Sequence, residues 1–292
     1  MKNTKRLSEE LIYQQLIKLS CINQNLAKYR KNPAIFYQLI PHDKDKGWDT
    51  TDMFPRISYT VDWQYNEKRK SNGVMQIDIC CTNENETTPE EFAREIEDNL
   101  SELFLTDESG TYCFIWNRSD SFIDDTEPVI FGISIYFDVI HYPNQEKFSY
   151  PVYAINQFIK EMQPNCIVLE HGEVLPATLR ATDKNPIIYV EEISRKTISE
   201  TYAMSTMEET LSILIFSFDT VDTGLWIKAI SNDLHEKLEI PMKKYSSFLI
   251  ENINEQMEID PFRTGRITVI GDYRVMKNQE EETKLNHVTF NR

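Results

Sequence analysis

Two stretches of the sequence repeat the same pattern of an alternating strand followed by an amphipathic helix. In each stretch, apolar residues alternate with a period of two, which predicts a strand with one buried face, and then recur every fourth residue, which predicts a helix. The helical positions of the second stretch lie 134 residues after those of the first, at Phe92, Ile96, Leu100 and Phe104 and at Trp226, Ile230, Leu234 and Leu238. This repetition predicts that one folding unit occurs twice.

The flanking residues support the repeat. Thr88-Pro89, followed by Glu91, is typical of a capped helix start, and Asp222 or Thr223 is a candidate cap for the second helix. Each combination of strand and helix is preceded by a further strand that contains a proline, Pro55 in the first half and Pro186 in the second. A helix is predicted before each of those strands. A strand pair with alternating apolar residues closes each half. We therefore expect helices over Phe92–Phe104 and Trp226–Leu238 in equivalent positions of two similar domains.

The predicted fold class is α+β, with two similar domains that each consist of a mainly antiparallel sheet packed by two helices. The predicted boundaries are 1–146 for the first domain and 147–276 for a diverged second copy. The polar, turn-rich stretch around Pro143 marks the boundary. Residues 277–292 are predicted to form a C-terminal tail or docking arm.

The chain is strongly acidic, with a formal net charge of −16 over 292 residues. Residues 1–145 contribute −9 and the remainder −7, so that both halves share the acidity. Such a surface repels phosphates, which argues against general nucleic-acid binding. The charge favours solubility, and it also suits a surface to which nearby DNA must not adhere.

The five cysteines do not suggest a disulfide framework. Their number is odd and no Cys-x-x-Cys occurs, which favours a reducing compartment. Cys80 and Cys81 are neighbours on a predicted strand, so they point to opposite faces and cannot bind one metal together. No stretch of 18 uninterrupted apolar residues occurs. We therefore expect neither a signal peptide nor a membrane span.

The sequence contains no recognisable catalytic or metal-binding motif. Asp43–Asp52 is rich in Asp but lacks the glycine and glutamate positions of an EF-hand loop. His42 and His171 occupy similar places in the two halves, and neither has a partner at zinc-ligand spacing. Phosphate-binding loops and nucleophile elbows do not occur. We expect no catalytic residue, no metal and no cofactor.

Two basic clusters and one apolar strand face are candidate contact surfaces for a subunit or partner. The clusters are Lys68-Arg69-Lys70, between two predicted strands, and Arg195-Lys196, in the matching predicted connection. They are either solvated hairpin tips or contacts for an acidic partner, such as another copy of this chain. Leu214 and Phe216 make their strand apolar on both faces, so the other domain or another subunit is expected to bury them.

The pattern resembles the phage tail terminator, or tail completion, family. In the first half the resemblance rests on Pro55–Tyr59, Val74–Ile79, the helix Phe92–Phe104 and Phe131–Val139. The second half resembles the family more loosely, through Pro186–Val190, Leu211–Phe218, Trp226–Leu238 and Ile267–Val275. These are hydrophobic patterns and include no catalytic signature.

The resemblance implies a ring-forming structural protein at the head-proximal end of a phage tail, located in the virion and in the host cytoplasm during assembly. Its implied partners are further copies of itself, the tail tube protein, a neck or head–tail connector protein and, as a further candidate, a sheath protein. DNA would pass without specific binding, and no membrane is involved. Because family members typically have one domain and form hexamers, two domains per chain leave rings of three or six chains open.

Three other interpretations remain open from the sequence. The chain could be a different neck, connector or baseplate component, an acidic mimic of DNA that acts as an inhibitor, or an enzyme whose site is assembled from scattered residues. Regularly spaced carboxylates on one face would favour the mimic, and a cleft with converging titratable groups would favour the enzyme.

Overall fold

The computed structural model describes residues 9–50, 52–68, 70–125, 127–145, 150–169, 171–172, 174–243, 245–257 and 264–277. The fold is α+β, as predicted, and the chain forms two compact units. The first unit contains the residues up to 145 and the segment 172–182. The second contains residues 150–171 and the described residues from Asp183 onward.

The described residues of the first stretch form these helices and strands: α1 (Glu9–Leu16), α2 (Ser20–Asn25), β1 (Lys28–Tyr29), β2 (Asn32–Pro33), β3 (Ile35–Tyr37), β4 (Arg56–Asp62), β5 (Gly73–Thr82), α3 (Pro89–Leu100), β6 (Leu103–Asp107), β7 (Gly110–Asp124) and β8 (Ile130–Pro143). The described residues of the remainder form α4 (Tyr150–Met162), β9 (Ile167–Val168), β10 (Thr178–Leu179), β11 (Ile187–Glu200), β12 (Met204–Phe216), α5 (Thr220–Lys237), β13 (Glu239–Ile240), β14 (Phe248–Met257) and β15 (Gly265–Met276).

The two units share a sheet topology of six strands in corresponding order, and the first sheet has β10 as a seventh strand at its edge. The strand order is β10-β6-β7-β8-β5-β4-β3 in the first unit and β13-β14-β15-β12-β11-β9 in the second. Among the described strands of both sheets, the pair at one end is parallel, β3 with β4 and β9 with β11, and the other neighbours are antiparallel. Helix α3 follows β5 as α5 follows β12. The predicted equivalence of these two helices, and of the two domains, is confirmed.

Each sheet buries the alternating residues that the sequence identified. On β5, Met75, Ile77, Ile79 and Cys81 are buried, while the residues between them are half-buried. Ile79 lies opposite Ile57 of β4, and in the second unit Ile215 lies opposite Ile188. The helices cover this face through residues such as Phe92 and Ile230, which are almost fully buried. The period of two in the sequence therefore corresponds to the core face of each sheet.

The predicted helix ends need correction. Helix α3 ends at Leu100, and Phe104 is buried on β6 instead of on the helix. Glu102 adopts a positive φ of 59° between the two elements, which reverses the chain before the strand. Helix α5 begins earlier than predicted, because Asp219 caps it: its carboxylate accepts hydrogen bonds from the backbone N–H groups of Val221 and Asp222, both at 2.8 Å.

The segment 172–182 belongs to the first unit, although the sequence analysis placed it in the second domain. Leu179 is buried and pairs with Phe104 at the edge of the first sheet. Arg180 donates hydrogen bonds to the carbonyl oxygens of Ser101 at 2.8 Å and Asp98 at 3.1 Å. These carbonyls lie at the end of α3, where a cation satisfies unpaired acceptors and interacts favourably with the helix dipole.

Candidate interaction surfaces

The first basic cluster lies where the sequence predicted it, in the connection between β4 and β5. An isolated bridge joins Asn66 and Ser71 across this connection, and the side-chain oxygen of Asn66 accepts a hydrogen bond from the backbone N–H of Lys68 at 3.1 Å. Lys68 and Lys70 are exposed, as is Tyr65 at 64%. Arg69 lies outside the described residues. The cluster therefore presents cations beside an exposed aromatic ring.

The second basic cluster is not in a connection, contrary to the prediction. Arg195 and Lys196 lie on β11, which continues through Glu200 and pairs with β12 along most of its length. Lys196 lies opposite Glu208, and the two side chains form a salt bridge of 2.6 Å. Cross-strand pairing of opposite charges thus extends the strand beyond its apolar stretch, where alternation alone predicted a loop.

These residues form part of an extension of the second sheet, which we call the distal arm: Glu192–Glu200 of β11, Met204–Glu209 of β12 and Gly271–Met276 of β15. β12 is the central strand of the arm, and it pairs with both of the others. Tyr202 at the turn and Met276 at the end of β15 are 86% and 71% exposed. The arm therefore carries exposed apolar side chains together with cations.

A buried carboxylate anchors the base of the distal arm. Glu209 is fully buried, and the Tyr273 hydroxyl donates a hydrogen bond to it at 3.0 Å. Burial, together with the charge of Glu209, raises the pKa of Tyr273 above its ordinary value. The Arg195 guanidinium lies 5.8 Å from the centre of the Tyr273 ring. Sequence reasoning missed this group, although the alternation that buries Leu211 also places Glu209 on the core face.

The apolar face at the end of β12 has a graded exposure. Phe216 is 8% exposed, Leu214 is half-buried and Phe218 is 70% exposed. Phe216 lies opposite Ile187 and Leu214 lies opposite Tyr189, and both of these partners are also buried. Of the two apolar side chains that were expected to be covered, Phe216 is therefore buried and Leu214 is half-buried. The identity of the element or subunit that covers it stays a prediction.

A groove of about 420 Å³ lies in the first unit, beside the start of α3 and the end of the β7–β8 hairpin. Phe122, Ile123 and Phe131 provide apolar lining, and Gly132 lies opposite Phe122, where a β-carbon would clash with the Phe122 ring. Exposed carboxylates stand along the groove and the hairpin end: Glu84, Glu86, Glu90, Asp124, Asp125 and Glu127. This surface combines an apolar lining with an acidic surround.

The thiols of Cys80 and Cys81 on β5 have the character of structural cysteines. Burial raises the pKa of Cys80 to about 11 and that of Cys81 to about 12, so both are protonated at neutral pH. A protonated, buried thiol is a poor nucleophile and a poor metal ligand. Among the residues that the structure describes, no group of three His, Cys, Asp or Glu side chains is placed to hold a metal ion.

The two matched histidines lie in different surroundings. His42 accepts a hydrogen bond from the backbone N–H of Lys44 at 3.1 Å through its Nδ1 atom. The ring of His171 lies 3.2 Å from the Gln157 side-chain oxygen, measured from Nε2, and 5.0 Å from the Tyr153 ring. Each ring therefore takes part in local packing or turn structure.

Comparison with known proteins does not assign the chain. No protein-family model matches the sequence, and no curated protein matches it. In the described part of the chain, no helix has the length and apolar character needed to cross a membrane.

Proposed function

We propose that this chain is a structural virion protein that forms a ring at the head-proximal end of a phage tail. There it terminates polymerisation of the tail tube and joins the tail to the neck or head. The observation that supports this function best is the order of elements in the two units. A helix, two antiparallel strands, a second helix and a closing strand pair are what the resemblance to tail terminators implies, and both units contain them in that order.

The proposed role is mechanical and involves no catalysis, metal or cofactor. The surfaces that serve it are the cluster around Lys68, the distal arm with Arg195 and Lys196, and the apolar face at Leu214 and Phe216. The net charge of −16 also suits a channel wall, since acidic side chains repel DNA and let it pass without adhering. The tube protein and a neck or connector protein are the proposed partners, with a sheath protein as a further candidate.

Two arrangements are compatible with two units per chain. In a ring of three chains, both units alternate around a pseudo-sixfold ring. Because the two units are fused, the effective concentration of one unit for the other is raised at the contact within each chain. In a ring of six chains, one unit forms the ring and the other surrounds it or stacks above it. We favour six chains, because the two units differ in surface. The outer face of α3 is acidic, whereas α5 exposes Val221 and Leu225.

A tube-assembly assay tests the proposed function. The tail tube protein of the same phage is polymerised alone, with this chain, and with an unrelated acidic protein of similar charge as a control. Negative-stain microscopy then records tube lengths and the presence of rings. We expect rings of the isolated chain, rings at tube ends and shorter tubes only when this chain is present. Rings that leave tube length unchanged would overturn termination and favour another neck, connector or baseplate role.

A further inference from the structure

The outer edge of β11 in the distal arm is open to another strand. β9 pairs with β11 only at Ile187 and Ile188, so within the described residues no strand pairs with this edge from Glu192 to Ser199. The pairing with β12 skips Ile193 and Ile198, which are therefore bulge residues, and these side chains are 55% and 47% exposed. Bulges re-aim side chains, and here both of them direct an isoleucine toward solvent.

A second open edge lies on β7 in the first unit. β6 pairs with β7 only as far as Phe114, and from Arg118 to Ile123 the strand pairs with β8 alone in the described part of the chain. Ile123 is 65% exposed, and Phe131, which lies opposite it on β8, is 38% exposed. This edge borders the apolar groove, so it offers both backbone hydrogen-bonding groups and apolar side chains.

We infer that the β11 edge of one copy pairs with the β7 edge of a second copy, an inference that rests on the proposed ring. The exposed cations Arg195 and Lys196 lie on the β11 edge, and the exposed carboxylates Asp120, Asp125 and Glu127 lie at the β7–β8 hairpin end. Lys196 already forms a salt bridge with Glu208 and Asp120 with Arg118, so Arg195, Asp125 and Glu127 supply the charges for a new contact. Opposite charges on adjoining strands stabilise such a pair, and Ile193 and Ile198 would cover exposed apolar side chains beside the groove.

The charges also decide which edges pair. The segment Glu192–Ser199 of β11 has a net charge of +1, from Glu192, Arg195 and Lys196, whereas residues 118–127 have a net charge of −3, because Arg118 is outnumbered by four carboxylates. Charge therefore favours pairing of the two different edges over pairing of either edge with itself. Like charges on opposed strands destabilise pairing. The contact is therefore a heterologous interface between the second unit of one chain and the first unit of the next. Repeated rotation of such an interface closes a ring, either with both units alternating around it or with the second unit of each chain layered on the first unit of its neighbour. An isologous dimer would use one edge twice and would stop at two chains.

Two variants test the pairing, because each one blocks a single edge. The variant Ile193→Asp/Ile198→Asp adds charge to the β11 edge, and Ser121→Asp/Ile123→Asp adds charge to the β7 edge. All four side chains are exposed, so the cores stay intact. Leu39→Asp, at a residue that is 83% exposed and outside both edges, is the matched control. Circular dichroism and thermal unfolding establish that each variant folds.

Native mass spectrometry and sedimentation then measure assembly of the full chain. We expect the wild type and the Leu39→Asp control to form rings, and each edge variant alone to self-associate about 10- to 100-fold more weakly. Mixed together, the two edge variants should form a dimer of twice 34.4 kDa and nothing larger, since each supplies the edge that the other lacks.

The remaining outcomes overturn the inference. Edge variants that still form wild-type rings would show that the ring uses other surfaces, with the proposed function intact. A mixture of the two edge variants that stays monomeric would show that the two edges are not partners. A wild type that is monomeric at all concentrations would exclude the pairing, and the tube-length assay would then decide the proposed function separately.

Discussion

At the scale of single residues, the buried Glu209 is a charged group whose cost depends on its hydrogen-bond donors. A buried carboxylate is costly unless donors satisfy it, and Tyr273 supplies one of them at 3.0 Å. Alternation with Leu211, Ile213 and Ile215 places Glu209 on the core face, so the sequence could have indicated its burial. It could not have indicated Tyr273, because that residue lies 64 positions further on and meets Glu209 only through the pairing of β12 with β15.

Replacing Tyr273 tests this contact. Tyr273→Phe removes the hydroxyl and leaves a buried carboxylate oxygen without that donor. We expect the free energy of unfolding in urea to fall by about 1–3 kcal/mol. Tyr202→Phe is the control, since Tyr202 is 86% exposed at the turn of the distal arm, and it should change stability little. Equal effects of the two substitutions would contradict a stabilising role for the buried pair.

The buried thiols predict a dependence of stability on alkaline pH. Burial raises the folded-state pKa of Cys81 to about 12 from 9.0, so the folded chain holds the proton longer than the unfolded chain. The contribution of the neutral Cys81 thiol to the free energy of unfolding is therefore complete below about pH 9 and is lost as the pH rises from 9 toward 12. In Cys81→Ala, the decline of the unfolding free energy between pH 9 and 11 should be shallower by up to about 1.4 kcal/mol per pH unit. An unchanged slope would contradict this assignment.

At the scale of elements, the sequence predicted most of the strands and helices but misplaced several of their ends. Periodicity identified α3, α5, β5 and β12, because burial of one face repeats along each element. It placed the end of α3 too late because Phe104 continues the fourfold spacing by coincidence, on a strand. It ended β11 too early, since the distal arm is stabilised by cross-strand pairs such as Lys196 with Glu208, which leave no apolar alternation on β11.

The cap of α5 gives a prediction at this scale. The Asp219 carboxylate accepts two backbone hydrogen bonds in the first turn, so Asp219→Ala should destabilise the chain by about 1 kcal/mol in chemical denaturation. Asp222, in the same turn, has a raised pKa caused by burial and by the nearby charges of Asp219 and Asp183. Asp222→Asn should therefore be nearly neutral. A larger loss in Asp222→Asn than in Asp219→Ala would contradict the observed cap.

The end of β12 provides a matched pair of phenylalanines. Phe216 is 8% exposed and Phe218 is 70% exposed. We expect Phe216→Ala to lower the free energy of unfolding by about 3–5 kcal/mol, because it creates a cavity in a packed site. Phe218→Ala should cost little in the same measurement. If the two substitutions had similar effects, the buried face at Phe216 would not contribute to folding as proposed.

At the scale of the whole molecule, the sequence predicted the duplication but not the partition of the chain. Six strands in corresponding order and one parallel pair in each sheet are what a tandem repeat implies, and β10 is added to the first sheet alone. The return of residues 172–182 to the first sheet could not be predicted, because it depends on a two-residue pairing and on Arg180 at the end of α3. The candidate surfaces could be identified by residue type, whereas the open edges of β7 and β11 became evident only from the strand pairing.

Electron microscopy of tail tubes assembled with and without the chain, combined with the mass of the isolated ring, tests the central claim most directly. We predict rings at tube ends, tubes that stop growing at those rings, and an isolated assembly of six times 34.4 kDa. Three times that mass would support the alternating ring in place of the layered one. A chain that stays monomeric, both alone and with the tube protein, while tubes grow unhindered would contradict the proposed function.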